Sequence, residues 1–158
     1  MRVGVFICHC GSNIAGTVDV ARAAAELRKV PGVAFATNYM YTCSEPGQDE
    51  IKQAIQREKL DRIVVAACSP RMHELTFRRT IEKAGLNRYF LEMANIREHI
   101  SWVGLDKEAN TNKAVEAIKM AVAKVMQNKP LYSSSFKVNK RVLVIGGGVA
   151  GMQAALDC

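Results

Sequence analysis

The sequence predicts an α/β fold: a small, doubly wound, mainly parallel sheet of the flavodoxin or Rossmann kind, followed by a truncated Rossmann strand-loop-helix stub. Three observations carry this. Short β-branched runs alternate with stretches of helical periodicity, which demands crossover connections, and so parallel strands with helices on both faces. No apolar run approaches the roughly 18 residues that a membrane-spanning helix needs. The chain has 158 residues, 49% of them hydrophobic and 23% charged. That is enough to bury a core without cross-links, and too apolar for wholesale disorder.

Val3 to Cys8 is a continuous apolar run, the mark of a buried strand. Cys10-Gly11-Ser12-Asn13 is turn chemistry. Thr17 is placed to cap a helix from Val18 to about Val30, which Pro31-Gly32 stops. Val33 to Met40 is the second strand. After the Tyr41 to Gly47 loop, Ile51, Ala54 and Ile55 recur at helical spacing in a helix ending near Leu60. Ile63 to Ala67 is a third, buried strand. Cys68-Ser69-Pro70 opens the next helix, which carries Leu75, Arg78, Arg79 and Ile81. Tyr89 to Ile96 is the fourth strand and Ile100 to Val103 a short helix. Glu108 to Gln127 is a long amphipathic helix with Ala114, Val115, Ile118, Ala121, Val122 and Val125 on one stripe. Residues 1–128 therefore form the α/β domain. Residues 129–140, with Pro130 and Ser133-Ser134-Ser135, read as a linker. Residues 141–158 read as the incomplete start of a dinucleotide-binding unit, beginning with a strand from Arg141 to Ile145.

Lys and Arg number 22 against 15 Asp and Glu, a formal charge of +7. These charges are spread along the chain, often beside acids. Nucleic-acid binding wants a clustered basic stripe with interleaved aromatics, and only 6% of residues are aromatic. Neither a nucleic acid nor a membrane is expected as a partner. The Val3 to Cys8 run is too short for a signal-peptide core and has no small-residue cleavage site behind it. A cytoplasmic, reducing location is expected, where cysteines serve metal or redox chemistry more than disulfides.

Four of the five cysteines fall at one predicted place. Cys8 and Cys10 end the first strand, Cys43 follows the second, and Cys68 ends the third. In a parallel sheet those carboxyl ends share one edge, the edge at which such folds bind ligands. Cys43 and Cys68 each precede a helix start, where unpaired N–H groups and partial positive charge favour thiolate and anionic metal–sulfur centres. A 4Fe-4S cluster held by Cys8, Cys10, Cys43 and Cys68 suits this set, with Arg71, Arg78 and Arg79 as nearby charge. Zinc is the competing metal, although the paired Cys-x-x-Cys knuckles it commonly uses are missing. The cysteines could also be ordinary core residues, or Cys8 and Cys10 a strained dithiol. His9 points away by strand alternation, His73 is either a donor near the site or a helix-start residue, and His99 is structural. Cys158 reads as a frayed helix end, with replacement ligand or flavin neighbour as the sharper alternative.

Gly146-Gly147-Gly148-Val149-Ala150-Gly151 follows a predicted strand and opens a helix. Gly146, Gly148 and Gly151 fit the three glycines of a dinucleotide-binding fingerprint. Only about 18 residues remain from Arg141 where the βαβ unit needs about 30, so neither FAD nor NAD is expected to bind this stub.

Taken together, Cys8-His9-Cys10-Gly11, Cys43-Ser44 with Pro46-Gly47, Ala67-Cys68-Ser69-Pro70-Arg71 with His73-Glu74 and Thr76-Phe77, Ala94 to His99, and the Gly146 loop are similar to the N-terminal region of the A subunit of heterodisulfide reductase. The resemblance covers essentially the whole chain. It implies an oxidoreductase component with iron–sulfur clusters and FAD, in complexes that reduce the coenzyme M–coenzyme B heterodisulfide in methanogens. The FAD belongs to the full-length protein. Partners implied are the other subunits and an electron donor of hydrogenase or dehydrogenase type; a homodimer is one option for the assembly, which the sequence does not fix. The role expected for this chain is electron relay, without turnover on its own. The alternative is a docking domain of the same complex, its cysteines inert or zinc-binding.

Overall fold

The computed structural model describes residues 1–158. Four strands, β1 (Val3–Cys8), β2 (Val33–Tyr39), β3 (Arg62–Ala67) and β4 (Leu91–Asn95), form one sheet in the order β2-β1-β3-β4. Every neighbouring pair is parallel. The helices are α1 (Val20–Leu27), α2 (Glu45–Arg57), α3 (Pro70–Lys83), α4 (Lys107–Gln127) and α5 (Val149–Asp157), with a π-helical turn at Arg97–Ser101.

Strand alternation divides the core in two. Val3, Val5, Ile7, Val64 and Ala66 face α1 and α4, while Phe6, Cys8, Ile63, Val65 and Ala67 face α2 and α3. Both sheet faces are thus covered, which is why β1 is apolar at every position. A side chain at Gly4 would have to displace Leu60, because a Cβ there would lie 2.4 Å from Leu60 Cδ1.

The chain leaves β1 toward β2 on one side and crosses to β3 on the other. The strand order therefore reverses between β1 and β3. Outside the carboxyl ends of those two strands lies the crevice in which doubly wound sheets hold ligands.

Several local expectations shift. Asp19, not Thr17, caps the first helix: its Oδ1 accepts the Arg22 N–H at 2.9 Å, a carboxylate being a strong N-cap. Thr17 instead bonds Ser101, and the helix ends at Leu27 rather than near Val30. The short helix after β4 is the π-helical turn, three residues earlier than its spacing suggests. The strand expected at Arg141 to Ile145 does not form. A strand exists by pairing, and here Leu143 and Ile145 stand 84% and 88% exposed with no ladder partner. α5 does form behind the glycine loop, with no buried residue.

Candidate metal centre

β1 delivers Cys8 into the core, 4% exposed. Its Sγ accepts the Cys10 N–H at 3.3 Å and the Thr42 N–H at 3.5 Å. The chain then turns sharply, with Cys10 at φ 50° and Gly11 at φ 61°. The left-handed region costs a non-glycine residue about 1–2 kcal/mol, so surrounding contacts must hold Cys10 there. A side chain at Gly11 would be strained by the positive φ and would push Tyr41 aside, since a Cβ would lie 2.8 Å from Tyr41 Oη.

β2 delivers Cys43 to the residue before the Ser44 cap of α2. Ser44 Oγ accepts the Gly47 N–H at 3.3 Å. Gln48 Nε2 donates to the Cys43 carbonyl at 2.9 Å, and Gln48 Oε1 accepts from Thr80 of α3 at 2.8 Å. The loop is thereby tied to both helices on its face. β3 delivers Cys68, 6% exposed, just before the Ser69 cap of α3. β4 delivers Arg97, whose Nη1 donates to Cys10 Sγ at 3.1 Å. Arg97 Nη2 also reaches Glu98 Oε1 at 2.9 Å and Met72 Sδ at 3.3 Å, and the guanidinium stacks over Trp102 at 4.7 Å.

The electrostatics tie these groups together. Burial pushes the Cys43 thiol above its ordinary pKa, and the charges of Cys8 and Cys10 push the same way, with its own backbone N–H and Arg97 opposing. Burial also raises Cys68. Arg97 opposes that rise, while Glu98, Cys10 and Cys43 add to it. For Glu98, burial opposes ionisation, but the Arg97 hydrogen bond outweighs it and holds the carboxyl below the usual range. For Arg97, burial is likewise overcome by hydrogen bonds to Cys10 and Glu98, and its pKa rises.

Cys8, Cys10, Cys43 and Cys68 thus all follow or end strands at the carboxyl edge of the sheet, and charge on Cys10 bears on both Cys43 and Cys68. They are not closed into a coordination sphere: no three His, Cys, Asp or Glu side chains stand in metal-binding geometry. The donor set nevertheless fits a thiolate-bound centre. It offers four thiols, backbone N–H groups on one sulfur and a guanidinium on another. Of the six buried polar side-chain atoms without a partner, three border this edge: Thr42 Oγ1, Arg97 Nε and Glu98 Oε2. Buried polar groups normally find partners, so the polar accounting is incomplete at the cysteines.

No protein-family model matches the chain. Among curated proteins, it is 54% identical over 157 residues to the A subunit of H(2):CoB-CoM heterodisulfide,ferredoxin reductase from Methanothermobacter marburgensis. It is equally similar to an iron-sulfur A subunit of CoB–CoM heterodisulfide reductase from Methanopyrus kandleri. It is 51% identical over 158 residues to the A subunit of the ferredoxin/F(420)H(2)-dependent enzyme from Methanosarcina acetivorans. The chain matches the A subunit of heterodisulfide reductase. The match takes in 99% of this chain but 20–24% of those subunits, so the chain spans about a quarter or less of the length of the curated relatives it matches.

Against that resemblance, the other expected residues fall as follows. His9 turns to Asn38, its Nε2 lying 2.7 Å from Oδ1. His73 packs edge-on against Phe77. Cys158 is exposed at the end of α5. Arg71, Arg78 and Arg79 make no polar contact with a cysteine; Arg78 pairs with Glu74 at 2.6 Å and with the Arg88 carbonyl. The cation in contact with a cysteine sulfur is Arg97, which the sequence alone does not single out. The one signal that could have found Arg97 is its position just past the fourth strand, on the edge where the cysteines fall. In the glycine loop, Gly146 takes φ 116°, and a Cβ on Gly151 would fall 1.9 Å from the Gly146 carbonyl. No helix is long and apolar enough to cross a membrane.

Proposed function

We propose that residues 1–128 are the electron-relay domain of a heterodisulfide-reductase-type A subunit, holding a 4Fe-4S cluster through Cys8, Cys10, Cys43 and Cys68. The observation that supports this is that all four cysteines lie at the carboxyl edge of β1, β2 and β3, where backbone N–H groups and Arg97 already address two of the sulfurs. When bound, such a cluster supplies one-electron storage and transfer. The protein supplies the rest. β1 and β3 fix Cys8 and Cys68 in a dry edge, the caps at Ser44 and Ser69 orient the two helix-start cysteines, and the Cys10 and Thr42 amides stabilise charge on Cys8 Sγ. No side chain here needs to act as a general acid or base.

Residues 141–158, with Gly146, Gly148 and Gly151, open a flavin-binding domain that in full-length subunits holds FAD. The electron partners are the other subunits of the complex and a donor such as ferredoxin or F(420)H(2), which the names of relatives carry. Anaerobic reconstitution of the chain tests the reading. It predicts about four iron and four sulfide per chain and an EPR signal on reduction. Cys43→Ser and Cys68→Ser should lose the cluster. Folded chain without iron and sulfide, or loaded with zinc alone, overturns the reading in favour of a docking domain.

A further inference from the structure

Arg97 is the one cation in hydrogen-bond contact with a cysteine sulfur, at 3.1 Å from Cys10. Its side chain is 14% exposed. Glu98, Met72 and the Trp102 ring brace the guanidinium, which keeps it in place. An arginine stays charged at any working pH. It stands on a π-helical turn, a rare form often found at functional sites.

We propose that Arg97 is a positioning and charge-setting residue for the sulfur centre, orienting Cys10 Sγ and raising the centre's reduction potential. This rests on the cluster reading above. Reduction takes one electron from a donor, adds one negative charge, and makes or breaks no bond. A fixed cation against a ligand sulfur favours the more negative state, and hydrogen bonds to sulfur act in the same sense. Glu98 sets the strength of the effect, because it neutralises part of the charge it holds in place.

The test is a dithionite redox titration, followed by EPR, of the anaerobically reconstituted 158-residue chain. Wild type, Arg97→Gln, Arg97→Lys and Glu98→Gln are compared, and iron release to a chelator is timed for each. At the potential where wild type is half reduced, Arg97→Gln should show a reduced-to-oxidised ratio about tenfold lower, equal to about 59 mV for one electron. It should also release iron about tenfold faster. Arg97→Lys keeps the charge without the fork; it should recover the midpoint but not the retention. Glu98→Gln should move the midpoint upward. Wild type without iron and sulfide overturns the cluster reading and this inference together. Wild type with a cluster, and Arg97→Gln with an unchanged midpoint, overturns this inference alone. Equal midpoint losses in Arg97→Gln and Arg97→Lys mean packing only, and also overturn it. If Arg97→Gln does not fold, Glu98→Gln decides: a midpoint that stays or falls overturns the proposal.

Discussion

The guanidinium of Arg97 and the sulfur of Cys10 lie 3.1 Å apart, although 87 residues separate them in sequence. Cys10 meets it from a left-handed backbone, φ 50°, that L side chains rarely adopt. The Asn13 side chain also clamps the Cys10 carbonyl at 3.1 Å. A strained residue held by long-range contacts at a ligand edge is a pattern that binding sites share.

That strain can be read directly. Glycine adopts φ 50° freely, whereas alanine keeps the penalty. Cys10→Gly should therefore be more stable than Cys10→Ala by about 1 kcal/mol in metal-free chemical unfolding, while both lose cluster loading. Equal stabilities would mean that the turn carries no strain.

Gly47 provides a second handle on the same edge without altering a cysteine. A Cβ there would lie 2.4 Å from the Tyr41 carbonyl and 2.7 Å from Thr42 Cα, both backbone atoms. Backbone cannot swing aside as a side chain can. Gly47→Ala should force the Tyr41–Cys43 loop outward, cost about 1–3 kcal/mol as overpacking does, and reduce iron loading with all four cysteines intact. Full loading at wild-type stability would show that the loop is slack.

How much of this was legible in the sequence follows from the range of each interaction. The continuous apolar runs of β1 and β3 declare two-sided burial, and the caps Ser44 and Ser69 sit beside the cysteines they orient, so local chemistry was enough. Thr17 and Asp19 lie two residues apart and both cap well; tertiary contact with Ser101 decided between them. The turn over Cys10 to Asn13 was visible, but not the left-handed backbone of Cys10, whose conformation depends on distant partners. The sequence showed a short helix only from Ile100, because Arg97, Glu98 and His99 carry no apolar period, so the π-helical start at Arg97 left no pattern. The run Arg141 to Ile145 has strand composition, but composition supplies no neighbouring strand.

The Glu98 carboxyl connects the site to pH. Burial raises its pKa, yet the Arg97 hydrogen bond prevails and the folded value lies below the ordinary 4.5. A depressed carboxyl stabilises the fold above its unfolded pKa and loses that contribution as pH falls through the folded one. The metal-free chain should keep this contribution at neutral pH and lose it on acidification below about 4.5. Glu98→Gln should flatten that limb of the melting profile. A profile identical to wild type below pH 4.5 would remove Glu98 from the linkage.

The last thirty or so residues test the domain division. Buried residues end at Val125. Beyond it, Asn128 bonds Tyr89, Glu92 and Arg62, and the Leu131 carbonyl accepts from Asn87 at 2.9 Å. α5 has nine residues and buries none, and a helix that short is marginal without packing. A chain ending at Leu131 keeps every one of those contacts. It should melt within about 2 °C of the full 158 residues, as expected when less than about 0.5 kcal/mol is lost. It should also load iron to the same level, because the four cysteines and Arg97 all precede the cut. A much lower melting temperature, or lost iron, would make residues 132–158 part of the same folding unit as the sulfur edge.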